Sequence, residues 1–205
     1  PELTRKSAAE GIVLLKNNNA LPYSLNTKIS VFGRCQLDYF YVGYGSGGDV
    51  NAPYFVNIVD GIKNAGGKHN EWLLEYYKNY CKENPAPHGF WGHWPMNFEE
   101  PSLDDETVKK ASEESDAALI IIGRAAGEDR ENTLTKGSYY LTDEERHLID
   151  QVCKNFSNVT VLLDCGNVMD MSWILDYNDR LRGIVYAWQG GMESGNAVAD
   201  VLYGK

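Results

Sequence analysis

Ala117-Ala118-Leu119-Ile120-Ile121-Ile122-Gly123-Arg124-Ala125-Ala126-Gly127-Glu128-Asp129-Arg130 is the stretch whose reading decides the fold. Its first six residues are apolar, uncharged and without alternation, and they stop at a glycine. A run that short, rich in β-branched Ile, marks a strand covered on both faces rather than one with a wet side. Runs at 28–32 and 159–163 share the pattern, and a fourth lies at 183–188. Helical patterns fall between them. Asn51 and Pro53 open one in which Phe55, Ile58, Val59 and Ile62 share a face and Gly66 closes it. Thr142 and Glu145 form a capping box ahead of Leu148, Ile149 and Val152. A last helix starts near Ser194 with Val198, Val201 and Leu202 inward, and an opening helix is expected over 3–15. Strand alternating with helix implies an α/β fold: a three-layer sandwich with a mostly parallel sheet of five or six strands and helices on both faces. In such sheets ligands meet the loops at the carboxyl ends of the strands, here 33–51, 123–141, 164–171 and 189–193.

Composition narrows the function classes. A chain of 205 residues with 43% hydrophobic content builds one core, and 12% aromatic residues exclude a disordered chain. The formal charge of -10 is dispersed, and no cluster of Lys and Arg exists to release phosphate counterions, so nucleic acid is excluded as a partner and neutral ligands fit better. No apolar stretch approaches the length of a membrane span, and no basic segment with an apolar follow-on opens the chain. Cys35, Cys81, Cys153 and Cys165 lack a C-x-x-C spacing and read as free thiols of a reducing compartment, with a cytoplasmic location the expectation. The chain opens on Pro1 and stops at Gly204-Lys205 in mid-pattern, so residues 1–205 are expected to be one domain of a longer polypeptide.

Glu128 and Asp129, with Arg124 and Arg130, stand where the 117–122 strand delivers its loop. Spacing alone leaves two readings open, a solvated loop with local ion pairs or a group of catalytic carboxylates. Gly43-Tyr44-Gly45-Ser46-Gly47-Gly48 matches G-x-G-x-x-G. It lies some ten residues past its strand, however, and Tyr39, Tyr41 and Tyr44 crowd it, which suits a pyrophosphate cradle poorly. His88, Phe90, Trp91, His93 and Trp94 form an aromatic cluster that could stack on sugar faces or fold on itself. A metal held by Cys81, His88 and His93 fits no familiar zinc spacing. Trp173 and Trp188 adjoin apolar runs and read as core, while Asn155-Phe156-Ser157 and Asn158-Val159-Thr160 are formal glycosylation sequons.

The segment Gly123 to Arg130 resembles the acid/base loop of family 3 glycoside hydrolases, in which a Glu preceded by Gly follows a strand. Ala8-Ala9-Glu10-Gly11-Ile12-Val13-Leu14-Leu15-Lys16-Asn17, with Leu21-Pro22, resembles the entry to that family's second domain, an α/β sandwich. Lys136-Gly137-Ser138-Tyr139-Tyr140-Leu141-Thr142 resembles the segment after the acid/base loop, and the stretch from Trp188 to Leu202 resembles the closing helix nearly residue for residue. The resemblance implies a retaining, exo-acting β-glycosidase in which Glu128 is the general acid/base. Arg124, Asp129 and Arg130 would orient substrate; apart from the resemblance, which does not extend over about 67–101, Trp91 and Trp94 of the aromatic cluster are candidates to contact the sugar. The resemblance implies a β-linked glucoside or related oligosaccharide as ligand, no cofactor, and a barrel domain of the same polypeptide as partner. That barrel would carry the Asp nucleophile in a Ser-Asp-Trp-like motif. No such motif occurs here, and Ser115-Asp116 stands at a strand entry, so the isolated chain is expected to be inactive. A non-catalytic carbohydrate-binding module and a nucleotide-binding domain are the alternatives from other classes.

Overall fold

In the computed structural model, which describes residues 1–205 except Asp49, Trp91, Gly92, Asp129 and Asn178, the four apolar runs form the middle of one sheet. They are β2 (Lys28–Phe32), β4 (Ala117–Arg124), β5 (Val159–Cys165) and β6 (Leu181–Tyr186). The short β3 (Lys68–His69) pairs with β2, and β1 (Val13–Asn17) closes the other edge, giving the order β1-β6-β5-β4-β2-β3. All pairs are parallel except β1 with β6. Every residue of β4 is buried, as its uninterrupted apolar run requires.

Alternation along the strands divides the interior into two cores. Ala118, Ile120 and Ile122 join the core shared with α3 (Glu71–Glu83), α4 (Asp105–Glu113) and α5 (Asp143–Asn155). Ala117, Leu119 and Ile121 join the core shared with α2 (Ile58–Asn64) and α6 (Ser194–Tyr203). The fold class is therefore the three-layer α/β sandwich read from the sequence. The capping box of α5 forms as expected, with Thr142 Oγ1 accepting from Glu145 N and Glu145 Oε2 accepting from Thr142 N. All four cysteines are free thiols. Among the described residues no helix is long and apolar enough to cross a membrane.

Two elements depart from the sequence reading. The opening helix α1 (Glu2–Gly11) ends at Gly11 instead of running to Leu15, and Val13–Asn17 turns into an edge strand antiparallel to β6. A parallel strand needs a long crossover, but a chain arriving from outside the sheet can pair antiparallel with whichever edge is open. The second departure is α2, which begins at Ile58. Asn57 caps it by accepting from Asp60 N at 2.8 Å, so 51–57 is loop and Phe55 leaves the helix to stack on Tyr41.

Helices α2 and α6 approach closely because glycine faces glycine. A Cβ on Gly61 would overlap the Gly195 carbonyl, and one on Gly195 would overlap the Asn57 carbonyl. Alanine normally favours a helix interior over glycine by about 1 kcal/mol, but overlap with rigid backbone outweighs that gain. Gly61→Ala is expected to destabilise by about 2 kcal/mol, seen as a lower urea midpoint with an unchanged slope. An unchanged midpoint would mean that the two helices separate freely.

Candidate functional site

Because β2, β4, β5 and β6 run parallel, their carboxyl ends share one rim, and the loops that leave them bind one another there. Tyr44 N donates to Ala126 O at 2.7 Å, and Glu128 N donates to Tyr44 O at 3.0 Å, tying the loop after β2 to the loop after β4. Gly166 N donates to Arg124 O at 3.2 Å, bringing in the loop after β5. Gly191 N donates to Tyr41 O at 2.8 Å, bringing in the loop after β6. Glu128 thus stands at the carboxyl rim, in a turn, with an exposed side chain. Its Oε2 accepts from Ser46 N at 2.9 Å and from Ser46 Oγ at 2.5 Å, and these two bonds hold its pKa below the usual carboxylate value.

Arg124, expected from the resemblance to orient substrate, turns inward instead. It is 1% exposed and locked to Glu145 by two parallel 2.6 Å bonds. Its remaining donors go to the carbonyls of Gly123, Ser138 and Tyr140, so all five guanidinium N–H groups are taken. A chain leaving the sheet at this point needs its carbonyls satisfied, and Arg124 does this from inside. Arg130 is half-buried and spends Nε on Trp94 O at 2.7 Å. Trp94 is 6% exposed, its ring stacked on Tyr44 at 5.2 Å, so it props up the loop after β2 instead of offering a face to a sugar. Trp91 and Asp129 lie outside the described residues.

Of the two tryptophans read as core, Trp173 is buried at 4%, whereas Trp188 is 38% exposed. Trp188 has φ 57°, a left-handed conformation rare for a bulky residue, and packs on Tyr186 at this same rim. Among the described residues the glycine-rich loop is followed by loop and the next helix begins at Ile58, so no helix N-terminus directly follows it as a phosphate cradle needs. Among the described residues no group of three His, Cys, Asp or Glu side chains is placed to hold a metal ion. A cleft of about 530 Å³ borders the glycine loop, lined in part by Tyr39, Tyr41, Tyr44, Phe55, His88 and Phe98.

Two buried acids, neither singled out by the sequence, anchor the rim from beneath. Asp164, at the end of β5, accepts from Phe40 N at 2.7 Å, and complete burial drives its pKa well above the carboxylate range. Glu100 accepts from Arg34 N at 2.8 Å and from the Tyr77 hydroxyl at 3.1 Å, and burial pushes its pKa to about 8. A folded-state pKa above the unfolded value of 4.5 means that the native state binds this proton more tightly. The stability linked to Glu100 is therefore full below pH 4.5 and declines as pH rises through about 8, by up to about 1.4 kcal/mol per unit. Glu100→Gln should flatten the fall in stability over that window, with the part due to Asp164 remaining. Denaturation midpoints at several pH values check this, and an unchanged slope would mean that Glu100 stays ionised.

A mostly parallel α/β sandwich whose rim loops bind one another beside a solvent-facing carboxylate defines the class of domain. The chain belongs to glycosyl hydrolase family 3, since residues 12–205 match the Glycosyl hydrolase family 3 C-terminal domain. A β-glucosidase of Ruminococcus albus is 47% identical over 198 residues, covering 96% of this chain and 21% of that protein. The crystal structure of a β-glucosidase from Paenibacillus barengoltzii superposes with a TM-score of 0.96 at 47% identity, covering 99% of this chain and 22% of that one. β-Glucosidase 3B from Thermotoga neapolitana, solved in complex with α-D-glucose, superposes with a TM-score of 0.85 at 34% identity, covering 99% of this chain and 29% of that one. The chain thus spans about a fifth of the length of the first two relatives.

Proposed function

We propose that this chain supplies the acid/base carboxyl of a retaining β-glucosidase, with Glu128 as the acid/base and the nucleophile on another domain of the same polypeptide. The observation that carries the reading is the placement of Glu128: an exposed carboxylate at the carboxyl rim, held by a neighbouring loop, in a family 3 domain. In the first step Glu128 protonates the departing glycosidic oxygen while the partner carboxylate attacks the anomeric carbon. In the second it takes a proton from the water that releases the sugar. Substrate is a β-glucoside, by likeness to relatives named β-glucosidase. A two-carboxylate mechanism calls for no cofactor.

The acidity of Glu128 supports a divided site. On this domain its hydrogen bonds favour the ionised form, whereas a general acid at neutral pH must hold its proton. A nucleophile carboxylate about 5–5.5 Å away would raise the proton affinity of Glu128 by like-charge repulsion. That charge vanishes once the nucleophile is glycosylated, so Glu128 would then be ready to act as base. The isolated domain is therefore expected to turn over no glycoside. Glu128→Gln in the full-length polypeptide, assayed on aryl β-glucosides of differing leaving-group ability, tests the assignment.

A further inference from the structure

Ser46 meets Glu128 across 82 residues of chain, and the backbone on both sides is shaped for the meeting. The Tyr44 to Ala126 and Glu128 to Tyr44 bonds lay the two loops side by side. Gly45, at φ 113°, sits so near that a Cβ there would lie 2.5 Å from that of Glu128, a spacing only glycine permits. Both donors of Ser46 converge on Oε2, and no bond to Oε1 is made by the described residues. Of the charged residues described on the Glu128 loop, Arg124 is engaged with Glu145 and Arg130 with the Trp94 carbonyl.

We propose that Ser46 is a positioning residue for the acid/base carboxyl, its amide and hydroxyl holding Glu128 Oε2 so that Oε1 carries the proton to the glycosidic oxygen. This rests on the acid/base role proposed for Glu128. The amide of Ser46 can only donate, so a proton on Oε2 would face an N–H, while a proton on Oε1 meets no such opposition. As the partner carboxylate bonds to the anomeric carbon, the bond to the aglycone oxygen breaks and its electron pair takes the Oε1 proton. The negative charge left on Glu128 is then stabilised by the two Ser46 donors. In the second step water loses its proton to Oε1 as its oxygen bonds to the anomeric carbon, and the bond from that carbon to the partner carboxylate breaks, its electron pair returning to the carboxylate. The low proton affinity of Glu128 in this domain has the same origin.

The test compares Ser46→Ala and Ser46→Thr in the full-length enzyme. Ser46 is exposed, so neither change disturbs a core. Removing one donor from the ionised form should shift the alkaline limb of kcat/KM upward by about half a pH unit or more. It should also lower kcat/KM about tenfold on alkyl β-glucosides while sparing dinitrophenyl β-glucoside, which departs without a proton. Ser46→Thr, which keeps the hydroxyl, should restore both. In a Glu128→Gln background the Ser46→Ala change should have little further effect. An unmoved alkaline limb, an equal loss on both substrates, or no rescue by Thr overturns the assignment. If Glu128→Gln itself loses equally on both substrates, the acid/base role has failed and Ser46 falls with it. If Glu128→Gln shows the split and Ser46→Ala does not move the limb, Ser46 alone is excluded.

Discussion

Glu128→Gln in the full-length polypeptide is expected to lower kcat/KM for alkyl β-glucosides by about 10²–10⁴, the range that a positioned acid contributes to a proton-dependent departure. Dinitrophenyl β-glucoside should lose far less in its first step, because its leaving group is stable as an anion. Its second step still needs a base to activate water, so the glycosyl-enzyme should accumulate and kcat should fall. Added azide should then recover turnover in part, since a small anion attacks without needing a base to deprotonate it, and no carboxylate remains there to repel it. The product would be the β-glycosyl azide. A uniform loss across leaving groups, with no azide effect, would leave Glu128 a structural residue and return the carbohydrate-binding alternative to consideration.

Arg124→Met should instead act on stability, by about 3–5 kcal/mol, because it leaves Glu145 buried and uncompensated and strips donors from three carbonyls. Met matches the stem of Arg in length, so lost volume contributes little. Arg124→Met with Glu145→Gln should recover part of the loss, since the stranded charge is gone and Gln still serves the third position of the capping box. The contrast with a surface arginine is sharp: an exposed pair contributes about 1 kcal/mol or less. Denaturant midpoints of the two variants decide the matter, and a single variant as stable as the parent would contradict a locked interior pair. Should KM rise while the midpoint holds, Arg124 would have to reach substrate after all.

How far the residues announced these roles varies with the distance over which each interaction acts. The strands were readable because full burial on both faces leaves a local trace, an apolar run closed by glycine or charge, and α5 was readable because a capping box is four residues long. The edge strand β1 was not. Its Val13-Leu14-Leu15 run continues the helical pattern before it, and only the open flank of β6, where Val13 pairs with Tyr186, makes it a strand. Arg124 and Glu128 look alike on the page, both charged and four residues apart in one loop, yet one is interior and the other faces solvent. Glu145, 21 residues on, is what draws Arg124 inward. For Trp94 the residues leave a sugar face and a loop folded on itself both open, and Tyr44, from another loop, covers its ring.

The sequence by itself determined the layered, mostly parallel sandwich and the rim on which Glu128 stands, because strand burial and helix capping are set by neighbours a few residues apart. Only the tertiary structure decided which charged and aromatic groups at that rim are free to meet a ligand. Partners such as Glu145, Tyr44 and Ser46 arrive from other loops when the sheet assembles. A buried charge or ring keeps its place through contacts that no local spacing records.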